Sequence, residues 1–551
     1  MKKLVCIILV ILFASNIAFA STKEGEAKMF IDNIVKKIEP VLKDISLSYW
    51  KATITASKLW YGKYEAKQIE YKDILSSKAE FKQLKKLKKA KYKDPLVKRQ
   101  LDLLYLMYLE NQIDPKLAED LVRAGTKLEK KFYTYRATID GVKVSDNEVD
   151  EILKKSKDLR ERKKAWNASK QIGKAVSEDL VALVKLRNRA AKSLGFKNYY
   201  QMGLELQEQN EKDLFALLDS LARLTDKPYR DLKTEIDRSL AKRFKIEVKD
   251  MKPWHYEDVF FQGAPQIYDV DLDKYFKNLN VVKLTNDYYK SVGLDASDII
   301  KRSDLYERKG KQQHAYCIHI DRRGDVRVLA NVESNHRWTG TMLHELGHGV
   351  YDKYLGEDLP YILREPAHIF NTEGIAMMFG RLADSLYWYD NFLKVKVGKN
   401  KKSLENALNS SRRANQLVFA RWVEVMTHFE RELYSNPDQD LNAVWWELVE
   451  RYQFIEKPEG RDAPDWAAKI HFTSAPIYYH NYLLGELFAS QLSKVIYDKF
   501  GKGAFVDNPK LGEFLKEKVF GPGREMRWDK FIKFATGTKF SPKFYADEFI
   551  E

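Results

Sequence analysis

Apolar residues recur at helical spacing through most of this chain of 551 residues. In EAKMFIDNIVKKIEPVLKDI and SEDLVALVKLRNRAAKSLGF they stand at i, i+3, i+4 and i+7, with charged residues between them. Such spacing is typical of helices that bury one face. Gly and Pro fall mainly between these segments, and neither a repeat nor a change of composition divides the chain. The pattern predicts one large, mainly α-helical domain over residues 21–551.

One stretch departs from helical spacing. In HAYCIHIDRRGDVRVLANV, residues 314–332, two β-prone runs flank the turn-forming residues DRRGD. Short β-prone runs on either side of such a turn are typical of a β-hairpin. The sequence therefore predicts a small hairpin directly before the segment with the most specific motif of the chain.

The first residues, MKKLVCIILVILFASNIAFAS, combine two lysines, an apolar run and small residues. This order is typical of a secretory signal, cleaved after Ala20. The apolar run is too short for a membrane-spanning helix. A lipoprotein would need a cysteine at the cleavage point, but Cys6 lies within the apolar run. We predict that residues 1–20 are a signal peptide and that the protein is periplasmic or secreted, without stable membrane insertion after cleavage.

The chain is basic, with a net charge of +16 and a dense lysine patch in KQLKKLKKAKYKDPLVKR. Most of its lysines lie in segments of helical spacing, where they are expected on solvated faces. An exported protein also meets little nucleic acid, so we expect no nucleic-acid partner. Cleavage of the signal leaves Cys317 as the single cysteine, so stability must come from the core and not from an intrachain disulfide.

The segment TMLHELGHGV contains two histidines four residues apart. Residues i and i+4 share one face of a helix, so His344 and His348 can direct their imidazole nitrogens at one tetrahedral Zn²⁺. Glu345 lies about 100° further round and can reach a water at that ion without binding the metal. Cobalt or manganese would fit the same spacing. The alternative is a pair of histidines that are hydrogen-bonded in a helical core.

Two helices are expected around this motif. The first should be capped by Thr339 or Thr341 and end near Gly356, and the second should begin near Asn371 or Thr372.

A catalytic zinc needs a third protein ligand and one open position. Glu373, in the first turn of the second helix, is the preferred candidate, and Glu365 in the preceding connector is the alternative. Two imidazoles and one carboxylate would leave a Lewis-acidic metal. Glu345 would take a proton from the attacking water and pass it to the leaving amine.

With these residues in place, the sequence resembles the angiotensin-converting enzyme family of zinc peptidyl dipeptidases, in a bacterial, single-domain form. The resemblance spans most of the chain and is strongest from about 310 to 490. It is carried by HELGH with DLPYILREPAHIFNTEG after it, by HAYC, by VWWELVERYQ and by AAKIHFTSAPIYYHNYLLGELF. Oligopeptidase F and thimet oligopeptidase are more distant relatives, although YYHNYLLGELF resembles theirs at least as much.

The resemblance implies a gluzincin fold, a large two-lobed helical body with a deep central channel and a small β-hairpin near the zinc site. It implies one Zn²⁺ per chain, oligopeptide substrates and a role for each matched residue. The implied zinc ligands and general base are His344, His348, Glu373 and Glu345.

The remaining implied residues act on the substrate. His471 and Tyr482 match the family's donors to the oxyanion of the reacting carbonyl. Lys469 and Tyr479 match groups that hold the C-terminal carboxylate of the substrate. The pair His314 and Ala315 matches a strand that holds the peptide by strand addition.

The sequence also departs from the family at four positions. Trp254 appears in place of a glutamine that shares the carboxylate contact. Asn481 and Val449 replace arginines that bind chloride in the animal enzymes, so chloride activation is not expected. Met377 replaces an acidic residue that orients a histidine ligand, so another acceptor must take that part.

The sequence therefore leads to an exported zinc peptidase that releases C-terminal dipeptides from oligopeptides. The first alternative is an oligoendopeptidase with the same chemistry, which the missing glutamine favours. The second alternative is a catalytically silent, peptide-binding helical protein.

Overall fold

A computed structural model describes residues 23–268, 270–395, 397–398 and 400–550. The predicted signal peptide, residues 1–20, lies outside these ranges. Within them, no helix combines the length and the apolar character that crossing a membrane requires. The described chain is mainly α-helical and has two small antiparallel sheets, which confirms the predicted fold class at that level.

The helices follow one another along the described chain, and short 3-10 or π turns lie between some of them. In order they are α1 (Lys23–Thr55), α2 (Lys58–Leu75), α3 (Lys78–Lys88), α4 (Pro95–Glu110), α5 (Pro115–Thr134), α6 (Asp146–Lys155), α7 (Leu159–Ser193), α8 (Tyr199–Leu206), α9 (Glu211–Phe244), α10 (Val281–Ser291), α11 (Ser297–Arg302), α12 (His336–Lys353), α13 (Ile369–Gly380), α14 (Leu386–Trp388), α15 (Lys401–Ser435), α16 (Leu441–Gln453), α17 (His471–Ser474), α18 (His480–Phe500), α19 (Pro509–Leu515), α20 (Trp528–Thr536) and α21 (Lys543–Ile550).

Each of the two sheets is a single hairpin. β1 (Ala137–Ile139) pairs with β2 (Val142–Val144), and β3 (Tyr316–His319) pairs with β4 (Val326–Leu329). The second hairpin is the one predicted around DRRGD. Its turn is closed by the Asp321 side chain, which accepts hydrogen bonds from the backbone amides two and four residues later.

Helix starts follow local capping rules. Asp94 and Asp114 accept hydrogen bonds from backbone amides of the first turns of α4 and α5. Each is followed by a proline, whose fixed φ suits the first helical position and whose missing N–H would have had no partner there.

The chain divides into two compact units. The first comprises residues 23–112, Asp273–Phe392 and Val495–Lys539, and the second comprises Ile113–Leu272, Leu393–Lys494 and 540–550. Each unit is assembled from three separated stretches, so no single cut in the sequence separates them. The single domain over residues 21–551 stays a prediction.

Each unit has an aromatic core next to the helices that carry the candidate site residues. In the first unit Tyr288 and Tyr289 pack against Phe379, and the Tyr289 hydroxyl donates to the carbonyl of Leu343 in α12. Full burial of a large apolar side chain contributes roughly 1.5–3 kcal/mol. These contacts therefore anchor α12 and α13.

In the second unit, Phe429 is in ring contact with Trp445, Trp466 and Phe472. All four side chains are buried. This cluster fixes α15, α16 and the start of α17.

Candidate active site

Helix α12 carries the HELGH motif. Its N-cap is Asn335, whose side chain accepts a hydrogen bond from the Trp338 amide at 2.8 Å. Thr339 and Thr341 lie inside the helix, where their hydroxyls donate to the carbonyls four residues earlier. The predicted cap at either threonine was wrong, because asparagine is the stronger cap and the hydroxyls are satisfied by the preceding turn.

Helix α13 also begins earlier than predicted. Its N-cap is His368, whose ring nitrogen accepts from the Phe370 amide, and the helix starts at Ile369 rather than near Asn371 or Thr372. A histidine cap is outside the usual Ser, Thr, Asp and Asn signal, which explains the error.

The structure brings three ligand-type atoms together in the first unit. We call His344, His348 and Glu373 the zinc-ligand cluster. The two histidine Nε2 atoms are 3.2 Å apart, and each lies 3.8 Å from Oε2 of Glu373. Around a tetrahedral Zn²⁺ with bonds of about 2.0–2.2 Å, neighbouring ligand atoms are about 3.4 Å apart. The three groups therefore fit a single zinc ion and leave a fourth position for water or substrate.

A glycine between the two histidines allows this approach. A Cβ added at Gly347 would lie 2.9 Å from the Cα of Ala376 in α13. Any side chain there would push α12 and α13 apart, and Glu373 would move with its helix. The sequence analysis assigned no part to this glycine.

His348 has an orienting partner. Its Nδ1 lies 2.7 Å from the hydroxyl oxygen of Thr372. A hydrogen bond at Nδ1 leaves the Nε2 lone pair for a metal, which is how ligand histidines are usually fixed. Because Met377 replaces the acidic residue that orients a ligand histidine in the family, another acceptor was expected. Thr372, next to Glu373, is that acceptor. Burial lowers the pKa of His348 well below its usual value, so the ring is neutral.

Glu345 lies between the two histidines in sequence and is 8% exposed. The backbone amide of Cys317 in β3 donates a hydrogen bond to its carboxylate. Burial, and then the nearby charge of Glu373, raise the pKa of Glu345 to about 8. A carboxylate with a raised pKa is a stronger proton acceptor than an exposed one, as a general base requires.

The alternative third ligand is engaged elsewhere. Glu365 forms ion pairs with Arg322 and Arg524. Both of its oxygens are used by these guanidinium groups, and these pairs give the carboxylate a structural part. Among the described residues, the one group of His, Cys, Asp and Glu side chains with metal-ligand spacing contains Glu373 and not Glu365.

A second group of polar side chains lies in the second unit. Lys469 is 9% exposed, and its ammonium donates to Oε1 of Gln262 at 2.7 Å. The ammonium also lies 5.3 Å from the ring centre of Tyr479, whose hydroxyl accepts from the Trp422 indole at 2.8 Å. We call Gln262, Lys469 and Tyr479 the lysine cluster; a buried cation, an amide and a phenol are together suited to an anion with two oxygens.

The structure places Gln262 beside Lys469, where Trp254 was expected. Trp254 was expected at the position of the missing glutamine, but it packs against Trp166, and its carbonyl accepts from Arg162. The glutamine that meets Lys469 follows eight residues later in FFQGAP. Residue types alone do not give the length of the connecting loop, so Gln262 was not predicted from the sequence.

His471 and Tyr482 lie beside the same cluster. The His471 ring is 4.9 Å from that of Tyr479, which is 5.4 Å from that of Tyr482. Burial, and then the charge of Lys469, lower the pKa of His471 to about 4, so the imidazole is neutral and carries one N–H donor. The structure thus gathers all four residues that the resemblance assigned to the oxyanion and to the carboxylate.

The backbone that bears these residues is fixed from two other helices. Arg187 of α7 donates to the carbonyls of Phe472 and Thr473 at 2.8 and 2.6 Å. Glu430 of α15 accepts from the Ile477 amide at 2.8 Å. Both side chains are buried, so their hydrogen bonds are costly to break.

His314 and Ala315 precede the strand on which they were expected. β3 begins at Tyr316, and His314 is exposed. Their predicted part in strand addition stays a prediction.

The model of the family described as peptidase family M3 matches residues 152–550, nearly three quarters of the chain. The chain belongs to peptidase family M3. A second model, described as angiotensin-converting enzyme, matches residues 21–255. No curated protein matches the chain.

Membership of family M3 makes the protein a zinc metallopeptidase that acts on peptides. The predictions of a hydrolytic enzyme and of zinc are thereby confirmed, and the catalytically silent alternative is dropped. The family M3 match includes every predicted site residue, whereas the angiotensin-converting enzyme match ends before the first of them.

Proposed function

We propose that this M3 peptidase releases C-terminal dipeptides from oligopeptides. The observation that carries the proposal is the contact between Lys469 and Gln262, with Tyr479 beside it. A buried ammonium with two neutral polar neighbours is stabilised by an anionic ligand. The free carboxylate at the end of a peptide is such an anion. The dipeptide length of the product follows the resemblance to the angiotensin-converting enzyme family.

In this proposal His344, His348 and Glu373 hold the metal. Bound Zn²⁺ supplies Lewis acidity, which polarises a peptide carbonyl and makes water a stronger acid near neutral pH. Glu345 takes a proton from water and delivers it to the leaving amine.

His471 and Tyr482 are proposed to act on the carbonyl. Each donates a hydrogen bond to its oxygen as negative charge develops there. The neutral state of His471, which burial favours, leaves one N–H for this purpose.

An oligoendopeptidase of the same chemistry is the second candidate. The family M3 match favours it, because that match covers all the site residues and the sequence YYHNYLLGELF resembles oligopeptidase F and thimet oligopeptidase. Such an enzyme would cut within peptides and gain nothing from a free terminal carboxylate.

One oligopeptide, offered with a free and with an amidated C-terminus, separates the two candidates. The dipeptidase proposal expects the free peptide to have the higher kcat/KM and mass spectrometry to find a dipeptide as first product. Equal cleavage of both forms, or a first cut at an interior bond, would establish the endopeptidase instead.

Chloride independence is part of the proposal. The Asn481 side chain is hydrogen-bonded to Gln207 and Gln209, and Val449 is buried and apolar. Neither position offers the positive charge that an anion needs. Activity should be equal in chloride and acetate buffers of the same ionic strength, and chloride activation would contradict this.

We also propose export, with one zinc per chain. The mature N-terminus should then be Ser21, as read by N-terminal sequencing of protein from the cell envelope or medium. Metal analysis of the purified chain should give one equivalent of zinc. An intact N-terminus on a cytoplasmic protein would exclude export.

A further inference from the structure

The segment that carries Gln262 is held by side chains from two helices of the second unit. Trp166 and Lys170 of α7 both donate to the carbonyl of Val259, at 3.1 and 2.7 Å. Gln453 at the end of α16 donates to the carbonyls of Phe260 and Phe261, at 3.0 and 2.8 Å. The backbone before Gln262 is therefore fixed.

Asp258 belongs to the same segment and accepts hydrogen bonds from its backbone and from the Gln262 side chain. One carboxylate oxygen accepts from the amides of Phe260 and Gln262, at 2.8 and 3.0 Å. The other accepts from the side-chain Nε2 of Gln262 at 3.1 Å. Phe261, in the middle of the turn, has a φ of 51°, in the left-handed region that non-glycine residues seldom adopt. Such a turn persists only where its surroundings hold it.

The carboxylate of Asp258 determines which end of the Gln262 amide faces Lys469. An ionised carboxylate only accepts hydrogen bonds, so the NH₂ group of Gln262 must face Asp258. The amide oxygen is then left for Lys469, 2.7 Å away. Of the two side-chain N–H groups of Gln262, one donates to Asp258 and the other remains for a further acceptor. In the described chain, Lys469 uses one of its three N–H donors for Gln262.

We propose that Asp258 is the positioning residue of the lysine cluster, where this cluster binds the terminal carboxylate of the substrate. It orients the amide of Gln262, so that Gln262 and Lys469 both direct N–H donors at the terminal carboxylate of the substrate. This inference rests on the proposed dipeptidase function and names the residue on which its recognition step depends.

The charges around Lys469 are consistent with the proposed role of Asp258. Burial lowers the pKa of Lys469 to about 8, and the charge of Asp258 opposes that shift. The other titratable groups that face it are Lys170, His471 and Tyr479, and these carry no negative charge near neutral pH. Asp258 is thus the nearby anion that favours the ammonium.

The test is Asp258→Asn, assayed on one oligopeptide with free and amidated C-termini across pH. We expect kcat/KM for the free peptide to fall roughly tenfold, as loss of a hydrogen bond to a charged group does, with the amidated peptide unchanged. The fall in kcat/KM of the free peptide at alkaline pH should also move to lower pH. If Asp258 had only a structural part, its replacement would lower kcat/KM for both peptides together. The pH dependence for the free peptide would then stay in place.

Asp150→Asn is the matched control. Asp150 is exposed and close enough to Asp258 for their charges to interact, but it does not touch Gln262 in the described chain. Its replacement should leave the ratio of the two substrates unchanged, and an equal effect of both variants would overturn the proposal.

If Asp258→Asn does not fold, Gln262→Met gives a second measurement. Methionine keeps the side-chain length but removes the amide that Asp258 orients. Undiminished preference for the free peptide in this variant would overturn the proposal. Equal cleavage of both peptides by the unmodified enzyme would instead contradict the dipeptidase function itself, so the two failures are distinguishable.

Discussion

The zinc-ligand cluster and the lysine cluster are built in different ways. The first takes its three side chains from α12 and α13, consecutive helices joined by residues 354–368. The second joins Gln262 to Lys469, 207 positions apart. Spacing along one helix specifies the two histidines of the first cluster, and the next helix supplies Glu373, whereas the second cluster exists only once distant segments have folded together.

The two clusters also differ in what their burial does. In the first, burial keeps the histidines neutral, as metal ligands must be. In the second, burial lowers the pKa of a lysine to about 8, within reach of the working range of an enzyme. The first cluster should therefore govern turnover of any substrate, and the second should govern which peptides are preferred and at which pH.

The largest effect is expected from Glu345→Gln. Loss of the general base should lower kcat by roughly 10³-fold on free and amidated peptides alike, while zinc content, measured by atomic emission, stays unchanged. Glu357→Gln, at an exposed glutamate beyond the end of α12, is the control. Retained activity in Glu345→Gln would require another base.

Lys469→Met should separate the clusters most clearly. Loss of the buried cation should lower kcat/KM for the free peptide about 10- to 100-fold and leave the amidated peptide unaffected. The amidated peptide thus serves as the internal control. A parallel fall on both substrates would mean that Lys469 supports turnover and not recognition of the carboxylate.

Thr372→Val tests the orienting contact within the zinc-ligand cluster. Valine has nearly the same shape but cannot hydrogen-bond His348, so zinc affinity should fall about tenfold in competition with a chelator. Thr341→Val removes an exposed hydroxyl on α12 and should leave zinc affinity unchanged. If both variants bind zinc like the unmodified protein, the contact at Nδ1 has no part in metal binding.

The smallest effect is a pH dependence of substrate preference. Lys469 is charged below its pKa of about 8 and neutral above it. The ratio of kcat/KM for free and amidated peptides should be constant below that pH and should fall towards unity as the pH rises through it. A ratio that stays flat over this range would show that the ammonium charge does not bind the carboxylate.

The sequence predicted the mainly helical fold, the hairpin and the histidine pair, because each depends on local spacing, and it preferred Glu373 over Glu365 because Glu373 was expected on a helix. It did not predict the helix starts at Asn335 and His368, where side chains outside or ahead of the expected signals form the caps. Near each helix start several polar groups compete to cap the helix, and residue types alone do not show which one does so.

The parts missed at the site have a different cause. The sequence did not indicate Thr372 as the partner of His348. It also led to Trp254, and not Gln262, as the expected neighbour of Lys469. Gly347 was passed over although its missing side chain sets the separation of two helices. Each of these depends on a contact between elements, which residue types and spacing along one element do not encode.

Thr372 and Glu373 are neighbours on α13, and this adjacency ties metal retention to the docking of one helix. If α13 detaches from α12, a ligand and the partner that fixes another ligand leave in the same event. A bound ion would then act as a latch: at a metal concentration 100 times its Kd it adds about 2.7 kcal/mol to the docked state. Removal of the ion should consequently make local opening of this helix pair more frequent.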